Sequence, residues 1–428
     1  MSALNNNIEP SPGPSLAGMR IVVASMFFCA LTGISRAEDA GPKPDRGRIV
    51  LTDAARKLHA SALVIDGHND MPWEIRQQGG SSFDKMDISK PQPTLQTDIP
   101  RLRAGGVGAQ FWSVWVPTET YYRREAFAMT NEQIDLVKRM IARYPKTFEL
   151  ALTADDIERI HKKGKIASLI GVEGGHSIED SLDELNNLFM LGARYMTLTH
   201  TDTLKWADSA TDEPRNNGLA PFGRKVVQRM NELGMMVDLA HVSAKTMRDA
   251  IEVSGAPVIF SHSGARAVAD STRNVPDDVL RSLREKDGVV MVNFFSGFVV
   301  PAAAKNFQES VNYERELNKK YNDPKRVKHE MALWKKAHPY PRGTIQDLLD
   351  HIDHIAKVAG VERVGLGSDF DGVSKLPEQL EDVSCYPYIT QGLMNRGYTD
   401  EQIRGILGGN LLRVFREVEA YAAKHKNG

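Results

Sequence analysis

Eight short apolar runs recur along the chain, at residues 62–65, 108–116, 167–172, 195–198, 235–239, 257–260, 289–294 and 363–366. Each has the length of a strand buried on both faces. Segments with helical spacing of apolar positions separate them, among them 131–144, 181–191, 223–233 and 245–252. Strand–helix alternation predicts parallel strands joined by crossover helices. Eight such units predict an α/β fold, a (β/α)8 TIM-type barrel, with a doubly wound open sheet as the competing arrangement. Residues 300–342 break the rhythm. They are polar and Lys-rich, with helix predicted over 310–321 and 326–337 before Pro339-Tyr340-Pro341. This stretch reads as an insertion, a lid or an oligomer contact, whose charges form a solvated face.

Composition alters this picture mainly at the N-terminus. The chain has 428 residues, 41% hydrophobic and 25% charged, with net charge -1. That balance offers no electrostatic reason for nucleic acid or an anionic membrane to be a partner. Residues 1–18 are rich in Asn, Pro and Ser; Met19-Arg20 then leads into an apolar run at 21–31, followed by Ser35 and Ala37. These are the parts of a secretory signal cleaved near Ala37, with Met19 as an alternative start. The run is too short to span a bilayer comfortably. The expected layout is an extension and signal over 1–37 and a single barrel domain over 38–428. The expected location is secreted or periplasmic, with no stable membrane anchor after cleavage. Cys29 lies in the signal, so Cys385 stands alone and no internal disulfide is expected.

The chemistry gathers where the strands end, which in such barrels is where active sites lie. The first run is followed by Asp66-Gly67-His68-Asn69-Asp70. His68 and Asp70 are two apart and point the same way on an extended backbone. The third ends in Glu173, the fourth in Leu198-Thr199-His200, the fifth in His241, the sixth in His262 and the eighth in Gly367-Ser368-Asp369-Phe370-Asp371. One such histidine alone reads as a hydrogen-bonded polar group. The set reads as a metal site. Nitrogen and oxygen donors without thiolate suit zinc, with manganese or cobalt as alternatives. Five ligands exceed one catalytic zinc but suit two, with Glu173 as the bridge. One ion takes His68, Asp70 and Glu173; the other takes Glu173, His241 and His262. Ions roughly 3.5–4 Å apart share a hydroxide and polarise a carbonyl together. His176 reads as a loop hydrogen bond, His351 and His354 as exposed helix positions, and Trp73 and Trp206 as pocket wall or packing.

Together these motifs resemble the membrane (renal-type) dipeptidases, a family of zinc dipeptidases. The matching segments are Asp66-Gly67-His68-Asn69-Asp70-Met71-Pro72-Trp73, Gly171-Val172-Glu173-Gly174, Leu198-Thr199-His200, Asp238-Leu239-Ala240-His241-Val242-Ser243, Ser261-His262-Ser263, Thr272-Arg273-Asn274-Val275-Pro276-Asp277 and Gly367-Ser368-Asp369-Phe370-Asp371-Gly372. They follow the family order across residues 60–415. The resemblance implies the same barrel, two zinc ions per chain and the metal roles above. It implies His200 as a substrate contact that steadies the developing oxyanion. It implies Arg273 as the grip on the substrate carboxylate, a task suited to a guanidinium fork; a salt bridge to Asp270 or Asp277 is the competing reading. It implies Asp369 as the carboxylate that passes a proton from the nucleophile to the leaving amine. Asp371 then reads as a turn residue and Asp66 as a support for ligands.

The chain also departs from the family. Phe298 stands where the family has a Tyr near the substrate carboxylate, so that hydrogen bond is expected to be missing. The lack of disulfides and of an anchor signal suggests a bacterial secreted or periplasmic relative. The expected function is hydrolysis of dipeptides by a two-zinc site. The alternatives are another metal-dependent amide hydrolase, such as an N-acyl amino acid deacylase, and a non-catalytic ligand-binding barrel. The resemblance also allows a homodimer.

Overall fold

The computed structural model describes residues 46–425 apart from Asn322, so the signal-like segment at 1–37 lies outside the described residues. Nine strands are defined: β1 (Val64–Asn69), β2 (Val107–Trp115), β3 (Phe148–Leu150), β4 (Ile166–Glu173), β5 (Ala193–Thr197), β6 (Met236–Asp238), β7 (Ile259–Ser263), β8 (Val289–Val292) and β9 (Val364–Leu366). They pair in the order β2-β1-β9-β8-β7-β6-β5-β4-β3, and a further pairing of β2 with β4 closes the ring. That closing seam is long and in register, from Ala109 opposite Ala167 to Trp115 opposite Glu173. Eight parallel strands therefore form a closed barrel, and the open sheet is excluded. The ninth, β3, pairs only with the start of β4. The sequence reading missed it because three residues carry no usable alternation.

The strands are buried on both faces. Helices cover the outside, and alternate residues fill the inside. Ile65, Phe111, Leu169, Tyr195, Met236 and Met291 belong to one buried cluster, which also takes Val414, Phe415 and Val418 from helix Asn410–His425. That packing occupies the barrel interior and leaves the strand C-termini to carry polar groups. Among the described residues no helix is long and apolar enough to cross a membrane.

The insertion is more helical than predicted. It forms helices Pro301–Lys320 and Pro324–Ala337. Each begins with a proline in its first turn, where the missing N–H is harmless. Asp323 caps the second by accepting from the backbone of Lys325 and Arg326. Leu317, Val327 and Met331 pack between the two. The expectation that its charges are only a solvated face needs correcting, since Arg315 donates to the Thr211 carbonyl at 2.9 Å. His351 is likewise not an exposed helix position. It is buried, with Nε2 3.1 Å from the Val299 carbonyl and Nδ1 accepting from the Ala265 N–H.

Candidate functional site

His68 sits inside β1, but Asp70 lies one residue past it, at the N-cap of helix Met71–Gly79. The two therefore do not share an extended strand, and β1 is irregular between Asp66 and Asn69. An N-cap Asp ordinarily accepts from the first turn of its helix. Asp70 makes no such bond. Its carboxylate turns to His68, with Oδ2 3.2 Å from Nε2. His241 and Asp369 have φ of 65° and 66°. Left-handed backbone at residues other than glycine is strained by about 1–3 kcal/mol and concentrates where function requires it.

Glu173 is the last residue of β4 and the centre of the arrangement. Its Oε1 lies 3.0 Å from His241 Nε2, 3.5 Å from His262 Nε2 and 3.7 Å from His200 Nε2. Its Oε2 lies 3.5 Å from His68 Nε2 and accepts from Ser113 Oγ at 3.1 Å. The Nε2 atoms of His241 and His262 are 2.9 Å apart. Asp369 offers an oxygen to the same cluster as His68 and Asp70, and its Oδ2 accepts from Asn293 at 2.7 Å. All the sequence-predicted ligands are thus brought together.

The electrostatics suit a cation. His241 and His262 are pushed well below the usual histidine range, chiefly by burial and then by neighbouring positive groups, so both rings are neutral. Neutral imidazole is the form that binds metal. Burial would raise Glu173, but His68 and His200 foremost outweigh it and hold the carboxyl well below its ordinary value. Burial opposes a proton on His68, yet Tyr195, Glu173 and Asp70 together raise it well above its usual value. The space between Asp70 and Glu173 therefore favours positive charge. His68 Nε2, buried there, has no hydrogen-bond partner.

Supporting residues missed in the sequence set which ring nitrogen faces inward. The Tyr195 hydroxyl donates to the Gly67 carbonyl at 3.2 Å and lies 2.8 Å from His68 Nδ1. Its one proton is used, so it accepts from Nδ1–H and leaves Nε2 facing Glu173. Ser261 repeats this on His262. Its hydroxyl donates to Asp238 at 2.6 Å and lies 2.8 Å from His262 Nδ1. Gly171 makes the first of these possible, since a Cβ there would stand 2.0 Å from the Tyr195 ring. Asp66 accepts from the backbone and hydroxyl of Ser368, tying β1 to the segment that carries Asp369.

Arg273 is 2% exposed, and neither Nη1 nor Nη2 has a partner. The salt bridge to Asp270 or Asp277 does not form; Asp277 instead lies 2.8 Å from His354. The guanidinium lies over the Phe298 ring, 5.0 Å from its centroid, and burial lowers its pKa to about 10. Trp115, also missed, stands 5.4 Å from the His200 ring and packs edge-on against Trp73. Trp206 is core. His176 makes the expected loop bond, 2.9 Å to the Val116 carbonyl. Asp371 serves the loops: its Oδ1 accepts from the Gln96 backbone N–H at 2.6 Å, and its own N–H donates to Gln96 Oε1 at 2.7 Å.

Residues 52–428 match the family model described as membrane dipeptidase, peptidase family M19. The chain belongs to that family. It is a metallopeptidase that hydrolyses dipeptides. Dipeptidase 3 of Mus musculus is 39% identical over 379 residues, covering 87% of this chain and 68% of that protein. The fold is shared with the probable dipeptidase PvdM from Pseudomonas aeruginosa, at TM-score 0.77 and 24% identity over 86% of this chain and 98% of that one. A metallo peptidase from Rhodobacter sphaeroides, liganded with a phosphinate mimic of the dipeptide L-Ala-D-Ala, matches at TM-score 0.68 and 22% identity. It covers 83% of this chain and 99% of that one. Membership accounts for a metal-binding donor set in this dipeptidase.

Proposed function

We propose that this dipeptidase works with two zinc ions, one held by His68, Asp70 and Glu173 and the other by Glu173, His241 and His262. The observation that carries this reading is the convergence of four imidazole Nε2 atoms on one carboxylate, two of them only 2.9 Å apart. When bound, such ions supply Lewis acidity at the scissile carbonyl and a water acidified enough to attack at neutral pH. Arg273 grips the substrate's terminal carboxylate through its two unpartnered nitrogens, with Phe298 beneath. His200 faces the carbonyl oxygen and stabilises the charge that develops on it. Asp369, oriented by Asn293, takes the proton of the attacking water and delivers it to the leaving amine. The phosphinate-bound Rhodobacter relative supports including dipeptides with a C-terminal D-residue among the substrates. Residues 1–37 act as a secretion signal in this reading.

The test is a panel of L,L- and L,D-dipeptides and N-acyl amino acids, assayed with and without chelator beside a zinc measurement. Two zinc ions per chain, and dipeptide turnover lost to chelator and restored by zinc, are expected. Preference for the N-acyl amino acids would favour the deacylase reading instead.

Two further results are expected. Tyr195→Phe removes the acceptor for His68 Nδ1–H and weakens metal binding about 10–100-fold, measured by competition with a chromophoric chelator. Arg273→Met leaves zinc content unchanged and lowers kcat/KM on the order of 10²–10³-fold, mostly through KM, as expected for a lost charge-assisted pair.

A further inference from the structure

Helix Pro301–Lys320 touches the neighbours of both residues assigned to the substrate, Arg273 and His200. Near its middle, Phe307 packs edge-on against Phe298, with ring centroids 5.1 Å apart, and Phe298 in turn lies under Arg273. Gln308 accepts from the backbone of Thr272, next to Arg273, at 3.4 Å. About 12 Å further along the same helix, the half-buried Arg315 donates to the Thr211 carbonyl at 2.9 Å. Thr211 belongs to the loop that follows His200. Its hydroxyl donates to the Thr201 carbonyl at 3.0 Å, and the Thr201 hydroxyl lies 2.9 Å from His200 Nδ1. Ser209 of that loop donates to the His200 carbonyl at 2.8 Å. Lys319 adds an ion pair to Glu213 at 3.0 Å, but both side chains are more than half exposed and the pair contributes little.

The geometry points to helix Pro301–Lys320 as a brace, with Arg315 a positioning residue for His200. A rigid helix anchored at Phe298 and at Thr211 sets the spacing between the carboxylate grip and the oxyanion contact. The insertion then serves turnover rather than covering the site or joining subunits. This inference rests on the role proposed above for His200.

The test compares Arg315→Ala, Arg315→Lys, His200→Ala and the double variant Arg315→Ala/His200→Ala in the full-length zinc-loaded enzyme. Arg315→Ala is expected to lower kcat about 10–100-fold, the scale of a misplaced reacting group, with KM within twofold and zinc content unchanged. Amide exchange at residues 201–218 should accelerate while the rest of the barrel stays protected. Arg315→Lys, which still reaches the Thr211 carbonyl, should recover most of the loss. In the His200→Ala background Arg315→Ala should cost no more than twofold. Unchanged kcat in Arg315→Ala, or an equal loss with and without His200, overturns the brace. Full turnover by His200→Ala overturns the role of His200; a deficit in Arg315→Ala beside it would place Arg315's effect elsewhere and overturn the brace as well.

Discussion

Glu173→Gln is expected to lose bound zinc and to lower kcat by roughly three to four orders of magnitude, the several kcal/mol a metal site contributes to the transition state. The substitution keeps the shape and the bond from Ser113 but removes the negative charge that four imidazole nitrogens surround. It also offers N–H groups where a cation would need lone pairs. The fold should survive. In the metal-free protein Glu173 is paired with His68, so neutralising it leaves a buried positive charge with less compensation and is expected to lower thermal stability without preventing folding. The checks are elemental analysis for zinc, turnover of a dipeptide, and thermal melting after chelation. Two retained zinc ions with kcat within tenfold of the parent would end the bridging role of Glu173.

Asp369→Asn tests the proton path without disturbing the scaffold. Asn tolerates the left-handed backbone that Asp369 adopts, at φ 66°, whereas Ala would add strain there. The side-chain oxygen can still accept from Asn293. What disappears is the ability to take and give a proton. The expected loss is about 10²–10⁴-fold in kcat, with KM and zinc content close to the parent, the range for general acid–base catalysis. Turnover within threefold of the parent would remove Asp369 from the mechanism. A parallel loss of zinc would instead make it a ligand.

Much of the barrel was readable because parallel strands with helices outside bury both faces and leave uninterrupted apolar runs. β4 and β8 show this plainly. β3 and the first turns of helix Pro301–Lys320 were not readable, the former through shortness and the latter because Ala302, Ala303 and Ala304 look alike in loop and helix. The candidate ligands were readable because each lies within a few residues of a strand's C-terminal end, His68, Glu173 and His262 inside their strands and Asp70 and His241 just past theirs. Their supports were not. Tyr195 and Ser261 look like ordinary strand residues, and only the packing of β5 beside Gly171 and of β7 beside Asp238 reveals what their hydroxyls do.

The order of strands, the residue types at their ends and so the kind of chemistry available were determined by the sequence, because local periodicity and chain order carry that information. Only the tertiary structure decided that Asp70 turns away from its helix to meet His68, that Arg273 stays buried without a carboxylate partner, and that a helix inserted after β8 leans on the loop of His200. The last is a contact between segments far apart in the chain; the first two depend on the backbone turn at Asp70 and on what the closed barrel places around Arg273, which local periodicity does not report.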